Sequence, residues 1–331
     1  MLSCQYFKNR IFELHDARSF EGLALELFRY QAQENRVYAE YIGYLGLTVS
    51  DVQTLDEIPF LPIDFFKQFA IQTGDFEPEV VFTSSGTTGQ KPSRHLVKEK
   101  DWYHRVFREA FRRQYGGPQE YCILALLPSY LERKGSSLIE MTEALIELSG
   151  DMDSGFYLND FERLIKKIAE KQQTNRQVLL LGVTFALLDL TEKYGSHNWS
   201  NIKIMETGGM KGRRREMIRS EVHQVLQNAF GVTEIHSEYG MTELMSQAYA
   251  KREGLFECPP WMKVRIREVA DPFSKAPLGK TGGINIIDLA NVDSCAFIET
   301  QDLGRLYSDG RFEVMGRFDH SDVRGCNLMV V

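Results

Sequence analysis

The sequence predicts an α/β fold, in which a mostly parallel sheet is flanked by helices and followed by a smaller β-rich subdomain. Apolar runs of strand length, such as residues 178–181 and 202–205, alternate with longer segments of helical periodicity. Near-continuous apolar strands separated by helices are typical of a parallel sheet that is buried on both faces. Beyond residue 245, short strand-like runs are separated by Gly, Pro and Asp turns, which favours antiparallel pairing there.

The composition is that of an ordinary globular protein. The 331 residues, 43% of them hydrophobic, are enough for one large or two moderate domains. A net charge of −7 without a long basic run argues against a nucleic-acid partner. The absence of an apolar run of 18 residues, of a signal-peptide-like start and of metal-type cysteine spacing predicts a cytoplasmic protein without a membrane span. An oligomer is compatible with this composition.

Residues 1–75 are predicted to form a helical flank that packs on the rest of the chain. Residues 19–46 carry apolar side chains at helical spacing, and Ser19 is the predicted N-cap. The apolar, proline-containing residues 58–62 predict a rigid connector, and residues 63–69 a short helix. We interpret this part as scaffold.

Residues 76–245 are predicted to form the α/β core, residues 246–316 the β-rich subdomain and residues 317–331 a short tail. Core strands are predicted at residues 80–82, 121–127, 178–181, 202–205 and 233–236, and core helices from residue 101 and at residues 137–148, 160–171 and 214–230. Later strands are predicted at residues 262–269, 283–289, 296–300 and 312–316. Asp309-Gly310 favours a hairpin turn between the last two, because glycine accepts the positive φ angle that such turns need.

A loop rich in hydroxyl groups follows the first core strand, and we call residues 83–91 the hydroxyl loop. Its candidate ligand-binding residues are Thr83, Ser84, Ser85, Gly86, Thr87, Thr88, Gly89 and Lys91. Glycines let backbone N–H groups surround an anion, hydroxyls add short donors, and the lysine adds a positive charge. This chemistry suits the phosphates of a nucleotide. The loop differs from a Walker loop because no glycine precedes Lys91 and a proline follows it; a surface turn is the alternative.

Four further segments carry candidate ligand-binding residues. Residues 206–212 form a Gly-rich turn on which a flat ring can lie, or a tight connection between a strand and a helix. Residues 237–243 are predicted to join a strand to a helix; there Tyr239 can stack on a purine and Glu243 can hold Mg²⁺, while capping or core roles are the alternative. Asp302, predicted just after a strand, can accept both ribose hydroxyls, and Arg317 can reach ribose or phosphate oxygens.

Residues 83–92, 239–243, 300–303 and 316–319 resemble, in order and separation, the signature motifs of the adenylate-forming superfamily. That superfamily includes acyl-CoA synthetases, firefly luciferase and peptide-synthetase adenylation domains. With the helical start, the connector and residues 324–328, the whole chain resembles the acyl-protein synthetase (LuxE-type) family of bacterial fatty-acid reductase complexes, related to phenylacetate–CoA ligases. The resemblance implies the large N-terminal domain of the superfamily without the mobile C-terminal lid domain.

The resemblance also implies roles for single residues. Residues 84–88 with Lys91 would hold the β- and γ-phosphates of ATP. Gly208, Gly209 and Tyr239 would sandwich adenine, and Glu238, Gly240 and Met241 belong to the same nucleotide-binding motif. Thr242 would touch the α-phosphate or the substrate carboxylate, and Glu243 would bind Mg²⁺. Asp302 would grip the ribose with support from Arg317, and Asp319 matches the hinge position.

One departure concerns the catalytic lysine that larger relatives carry in the lid domain after the hinge. Only fifteen residues follow Gly316, so that lysine has no counterpart here. Lys91, Lys211 or a partner subunit are the open alternatives for its role.

The implied reaction is the activation of a fatty or other carboxylic acid to an acyl-adenylate, followed by transfer to a protein cysteine. Cys326 is the candidate nucleophile, because in an extended segment Arg324 would lie on the same side and favour the thiolate. A small apolar residue near the tail is the other interpretation of Cys326, and Cys258 and Cys295 stay as weaker candidates. An acyl reductase (LuxC-type) subunit is the implied partner. Two alternatives stay open: an acyl- or aryl-CoA ligase core, and a non-catalytic AMP-binding partner subunit.

Overall fold

The computed structural model describes residues 3–84, 91–128, 135–209 and 217–318. The helices are α1 (Cys4–Arg10), α2 (Ala17–Glu34), α3 (Arg36–Tyr44), α4 (Phe65–Gln68), α5 (Lys100–Tyr115), α6 (Ser137–Ser149), α7 (Phe161–Gln172), α8 (Thr184–Tyr194) and α9 (Arg219–Phe230). The strands are β1 (Leu61–Pro62), β2 (Val80–Thr83), β3 (Arg94–Val97), β4 (Tyr121–Leu126), β5 (Gly155–Phe156), β6 (Gln177–Val183), β7 (Ile202–Thr207), β8 (His236–Tyr239), β9 (Ala248–Ala250), β10 (Met262–Arg267), β11 (Thr281–Asp288), β12 (Phe297–Leu306) and β13 (Phe312–Arg317).

The predicted parallel sheet is confirmed, with the strand order β5-β4-β6-β7-β8-β9. Adjacent strands of this sheet run parallel to each other, except for β9, which runs antiparallel to β8. Successive side chains of β6 point to opposite faces: Leu179 joins the core that contains α5 and α6 side chains, and Leu180 joins the core that contains α7, α8 and α9 side chains. Both faces are therefore covered, which is why the strands carry uninterrupted apolar runs.

The predicted β-rich region forms a second sheet, ordered β1-β12-β11-β10, with β13 also paired to β12. Its strands pair antiparallel except for β1, which comes from the connector and runs parallel to β12. The β12–β13 hairpin is confirmed, and Gly310 at its turn has a φ of 86°. A third, two-stranded sheet of β2 and β3 flanks the hydroxyl loop, with Thr83 opposite Arg94.

The N-terminal helices begin and end differently from the prediction. Asp16, not Ser19, is the N-cap of α2: its carboxylate accepts the Ser19 backbone N–H at 2.8 Å, and the two residues form a capping box. The periodic segment is also divided at Asn35, whose side chain accepts the Tyr38 backbone N–H and starts α3. Both differences arise because a side chain satisfies a backbone donor at the start of a helix.

Two predictions around the candidate site were wrong in their local structure. The strand predicted at residues 233–236 is β8, which includes Ser237, Glu238 and Tyr239, and the helix predicted after residue 243 is replaced by turns that lead to β9. The Asp288 carboxylate accepts the backbone N–H groups of Met245 and Ser246, both at 3.0 Å, so these donors have partners without a helix.

Asp302 was predicted to follow a strand, and instead it lies within β12. Pairing with β13 extends β12 past this residue and places Asp302 directly opposite Arg317. The helix predicted from residue 214 is α9; among its described residues it starts at Arg219. No helix in the described ranges is long and apolar enough to cross a bilayer.

Candidate active site

A tyrosine, an aspartate and an arginine from three strands meet between the two large sheets. The Tyr239 hydroxyl, at the end of β8, donates a hydrogen bond of 2.8 Å to Asp302 Oδ2 on β12. Arg317 Nε, on β13, lies 3.3 Å from Asp302 Oδ1. The Tyr239 ring packs against Phe256 and Phe312, with ring centroids 5.7 and 5.6 Å away. Three residues that the sequence assigned to nucleotide binding therefore lie together.

The pKa of Asp302 is raised, because burial outweighs the two donors that face this carboxyl group. Burial raises the pKa of Asp302, while the Arg317 charge and the Tyr239 hydrogen bond oppose that rise. Burial, and then the nearby Asp302 charge, raises the pKa of Tyr239 well above its usual value. Tyr239 is therefore a neutral hydroxyl donor at any ordinary pH.

Thr242 and Glu243 lie on a turn whose backbone is held by two side chains from elsewhere in the chain. His95 Nδ1 lies 2.8 Å from the Thr242 carbonyl oxygen, and Asn291 Nδ2 donates to the Glu243 carbonyl oxygen at 2.8 Å. Burial raises the pKa of the Glu243 carboxyl, whereas a hydrogen bond from Ser93 and the Arg317 charge oppose the rise. The charges of Arg317 and Asp302 both influence the pKa of Glu243. Glu243 therefore belongs to the same site as Tyr239, which is hydrogen-bonded to Asp302.

The base of the hydroxyl loop meets Glu243. Ser84 and Ser93 are paired across the loop: the Ser84 N–H donates to the Ser93 carbonyl at 3.2 Å, and the Ser93 N–H donates to Ser84 Oγ at 2.9 Å. The Thr83 N–H donates to the Gly135 carbonyl, and Lys91 is exposed. Ser93 thus links the described base of the loop to the Glu243 carboxyl. The predicted ligands Ser85, Gly86, Thr87, Thr88 and Gly89 lie outside the described residues, as do Lys211, Asp319 and Cys326.

Gly208 and Gly209 follow β7 and are exposed. Gly208 has a φ of 70°, a conformation that other residues rarely adopt. A Cβ at Gly209 would meet no atom of the described residues within 4 Å. The part of the chain that the structure describes therefore leaves this backbone uncovered, as the adenine hypothesis requires.

Glu238 lies on the opposite face of β8 from Tyr239 and is buried. It accepts a hydrogen bond from the Thr207 hydroxyl, and burial raises its pKa to about 7. Its carboxyl also covers Gly240, where a Cβ would stand 2.6 Å from Glu238 Oε1. The predicted residues Met241 and Thr242 are half-buried beside it.

A second buried carboxylate, Glu206, was not selected from the sequence although it lies in the Gly-rich segment. It accepts the Thr184 hydroxyl at 2.8 Å and lies 3.1 Å from Arg219 Nε, whose guanidinium stands 4.8 Å from the Phe256 ring centroid. His95 and Asn291 were also missed. Single-sequence patterns carry no signal for these residues, because their contacts join segments far apart in the chain.

A cavity of about 440 Å³ lies away from these groups. It lies between the connector and the antiparallel sheet, with Phe60 on one side and Arg265 and Glu299 on the other, and no predicted site residue lines it.

Comparison with known proteins gives one family and one fold. The family model described as "Acyl-protein synthetase, LuxE" matches residues 12–331. ATP-bound MatB from Rhodopseudomonas palustris is similar over 72% of this chain and 47% of its own, with 15% identity and a TM-score of 0.51. An open conformation of 2-hydroxyisobutyryl-CoA ligase, in complex with 2-HIB-AMP and CoA, is similar over 93% of this chain and 72% of its own, with 12% identity and a TM-score of 0.67.

A luciferase-like enzyme from the mealworm Zophobas morio is similar over 77% of this chain and 61% of its own, with 18% identity and a TM-score of 0.52. No curated protein sequence matches significantly. The chain spans about half the length of MatB. The predicted fold class, that of the adenylate-forming superfamily, is confirmed.

Proposed function

Because this chain belongs to the acyl-protein synthetase (LuxE) family, we propose that it activates a fatty or other carboxylic acid with ATP and carries the acyl group on its own Cys326. The family and the shared fold support ATP-dependent acid activation. The observation that carries the proposal is the Tyr239–Asp302 hydrogen bond, which joins two sheets beside Glu243 and so brings separate motif segments to one site.

In the first step, a carboxylate oxygen attacks the α-phosphorus of ATP, and the bond to the bridging oxygen of the β-phosphate breaks. Pyrophosphate leaves with the electron pair, and an acyl-adenylate remains. The chain's contribution is position and charge. Asp302 accepts the ribose hydroxyls, Gly208 and Gly209 leave room for adenine against the backbone, and the hydroxyl loop with Lys91 binds the departing phosphates.

The residues present fit a Mg²⁺ ion that is held together with ATP. Mg²⁺ commonly takes one or two protein carboxylates plus substrate phosphates, and Glu243 offers a carboxylate next to the base of the hydroxyl loop. When bound, the ion would neutralise charge on the phosphates. Among the described residues no cluster of three or more His, Cys, Asp or Glu side chains would hold a metal without ATP.

In the second step, a thiolate attacks the carbonyl carbon of the acyl-adenylate, the bond to the phosphate oxygen breaks, and AMP leaves. Burial raises the pKa of every described cysteine: Cys4, Cys122, Cys258 and Cys295. The pKa of Cys122 rises to about 11 and that of Cys295 to about 12, so neither is a ready thiolate near neutral pH. This supports Cys326, with Arg324 two residues away, as the nucleophile.

An acyl-thioester is a good hydride acceptor, so an acyl reductase that binds this chain and releases an aldehyde is the proposed partner. The proposed compartment is the cytoplasm, where thiols stay reduced.

The first test measures carboxylate-dependent exchange of labelled pyrophosphate into ATP, over a panel of aliphatic and aromatic acids, together with the intact mass of the protein. We expect exchange that requires both an acid and Mg²⁺, and a mass increase equal to the acyl group. Tight AMP binding without exchange for any acid would instead support a non-catalytic AMP-binding subunit.

The second test separates the two steps by Cys326→Ser. We expect this variant to keep pyrophosphate exchange and to lose the hydroxylamine-sensitive acyl-protein. Cys4→Ser is the matched control, since Cys4 is half-buried with a raised pKa; it should acylate like wild type. Acylation retained by Cys326→Ser would remove this cysteine from the mechanism.

Coenzyme A is the second candidate acceptor, because the chain is similar over 93% of its length to a ligase solved with CoA. Adding CoA to the exchange mixture distinguishes the two acceptors. Acyl-CoA formed at the expense of acyl-protein, and unaffected by Cys326→Ser, would favour a CoA ligase core.

A further inference from the structure

We propose that His95 is a positioning residue that fixes Thr242 and Glu243 relative to the hydroxyl loop, an inference that rests on the proposed function. His95 belongs to none of the motif segments. It lies on β3, just after the hydroxyl loop, and its ring is 1% exposed. The residue it contacts, Thr242, is 147 positions later in the chain.

The direction of the hydrogen bond fixes the tautomer of the ring. The Thr242 carbonyl oxygen can only accept, so the proton lies on His95 Nδ1, 2.8 Å away. Burial lowers the pKa of His95 to about 4, although this hydrogen bond and the Asp293 charge oppose the shift. The ring is therefore neutral under working conditions and acts as a fixed donor rather than as an acid or base.

Ser93, which immediately precedes β3, and His95 on β3 contact successive residues of the turn. Both are buried, whereas Arg94 between them is exposed, so the two side chains lie on the same, inner side of this segment. Ser93 interacts with the Glu243 carboxyl, and His95 donates to the Thr242 carbonyl. One side of this segment thus contacts both the backbone and the carboxyl of the turn.

The turn is held from its other side by Asn291, whose amide donates to the Glu243 carbonyl at 2.8 Å. The rings of Phe66 and His95 meet in a T-shaped arrangement, with centroids 6.1 Å apart and planes at 87°. Without the His95 donor, a carbonyl in this buried region would lack a partner, and the turn would shift to find one. Thr242 and Glu243 would then leave their places beside the phosphates.

Three substitutions test the position of the donor rather than its polarity. In His95→Asn the side-chain amide nitrogen stands at the place of Nδ1, so the hydrogen bond can be kept. In His95→Gln the same group stands one bond further out, and in His95→Leu no donor remains. Ile168→Ala is the control for loss of stability, because Ile168 is buried in α7 on the far side of the sheet, in the other core.

The readouts are pyrophosphate exchange, adenosine binding, and the ATP-induced rise in unfolding temperature with and without Mg²⁺. We expect exchange to fall about 10- to 100-fold in His95→Leu and His95→Gln, as for a displacement of about 1 Å, and to stay within about threefold of wild type in His95→Asn. Adenosine affinity should stay within about twofold, because adenosine lacks the phosphate beside Thr242 and its proposed contacts, Asp302 and Tyr239, are untouched. Ile168→Ala should lower the unfolding temperature without changing exchange per folded molecule.

Equal exchange in the Asn and Gln variants, or a parallel fall in adenosine binding and exchange, would overturn the proposal. That comparison decides even if His95→Leu does not fold. If wild type binds ATP but catalyses no exchange, the proposed function fails by itself. The role of His95 is then tested by the part of the ATP-induced rise in unfolding temperature that depends on Mg²⁺. A smaller rise in His95→Gln than in His95→Asn supports the positioning role, and equal rises refute it.

Discussion

Glu206 and Glu238 are buried on adjacent parallel strands, yet their pKa values move in opposite directions. Burial alone raises both. At Glu206 the Arg219 charge, together with the nearby polar groups of His223 and Ser237, outweighs burial and lowers the pKa to about 2. At Glu238 the Thr207 hydrogen bond is too weak to offset burial, the Glu206 charge adds to it, and the pKa rises to about 7.

The raised pKa of Glu238 predicts a loss of stability with rising pH. The folded state keeps a proton that the unfolded state releases near pH 4.3, so the free energy of unfolding falls as the pH rises from about 4 to about 7. We expect Glu238→Gln to abolish most of this fall and to stabilise the protein at pH 8 by roughly 2–3 kcal/mol. Urea unfolding at several pH values between 5 and 8 measures it.

Glu206→Gln is the matched control, with the opposite sign. A lowered pKa contributes stability that is fully present above the unfolded value and is lost as the pH falls towards 2. At pH 7 this variant should therefore be less stable than wild type, since Arg219 loses its partner charge. Identical pH profiles for wild type and Glu238→Gln would contradict the assignment of the raised pKa.

At the residue scale, the sequence identified the side chains that belong to a recognisable motif. It missed those whose role depends on contacts with residues far away in the chain. Tyr239, Asp302 and Arg317 were chosen because a stacking ring, a carboxylate and a guanidinium suit a nucleotide, and the structure brings them together. His95 and Glu206 were missed because burial and partners decide what they do. A lone histidine or glutamate in one sequence reveals neither.

At the scale of elements, one polar side chain of α2 supports the turn that leads into β12. Gln31 on α2 is fully buried; its amide donates to the carbonyls of Asn291, Val292 and Ser294, and its Oε1 accepts the Ala296 N–H. These residues form the turn before β12, and Asn291 also holds Glu243. A side chain of this helix thus supplies hydrogen-bond partners for the backbone groups of a buried turn that forms few regular hydrogen bonds of its own.

We expect Gln31→Leu to destabilise the fold by roughly 2–4 kcal/mol, because the buried Val292 carbonyl and Ala296 N–H lose their partner. The Asn291 and Ser294 carbonyls lose one of their donors and keep another. Gln33→Leu places the same side chain at an exposed position of the same helix and should change stability by less than about 0.5 kcal/mol. Urea unfolding of both variants makes the comparison. Equal stability of the Gln31→Leu and Gln33→Leu variants would mean that the turn before β12 is stable without the Gln31 hydrogen bonds.

The elements that could be predicted are those whose periodicity is long and whose ends carry local signals. The helices α5, α6 and α7 and the strands β4, β6 and β7 lie close to their predicted places. The errors concern segments stabilised by distant partners. Asp288 satisfies the N–H groups that a helix after Glu243 would have used, and β13 lengthens β12 past Asp302. Neither partner is visible in the local sequence.

At the scale of the whole molecule, the N-terminal helices and the antiparallel sheet share one core. Phe7, Phe20 and Phe28 are fully buried in the cluster that contains Phe297 and Ile298 of β12. The ring of Phe12 packs at 4.9 Å from Trp261 and at 5.6 Å from Trp102. The sequence showed that these helices were amphipathic; which surface they cover became apparent only in the fold. The predicted boundary at residue 75 stays a prediction.

This shared core predicts that a chain lacking residues 1–46 does not fold by itself. Each large apolar side chain that loses its cover forfeits about 1.5–3 kcal/mol, and several such losses exceed the stability of an ordinary domain. Trp102 and Trp261 would become exposed, while Trp199 lies in the other core between His197 and Phe230. We therefore expect low solubility and a red-shifted tryptophan emission from any soluble fraction.

Trp199→Phe, made in the full-length and in the shortened chain, isolates the signal of the two tryptophans of the shared core. In the full-length variant the emission should stay blue-shifted, since both remain buried. In the shortened variant it should approach that of the unfolded protein. If the shortened chain is soluble, unfolds cooperatively and keeps its blue-shifted emission, the shared core is refuted. The helices would then lie on the surface of a domain that folds without them.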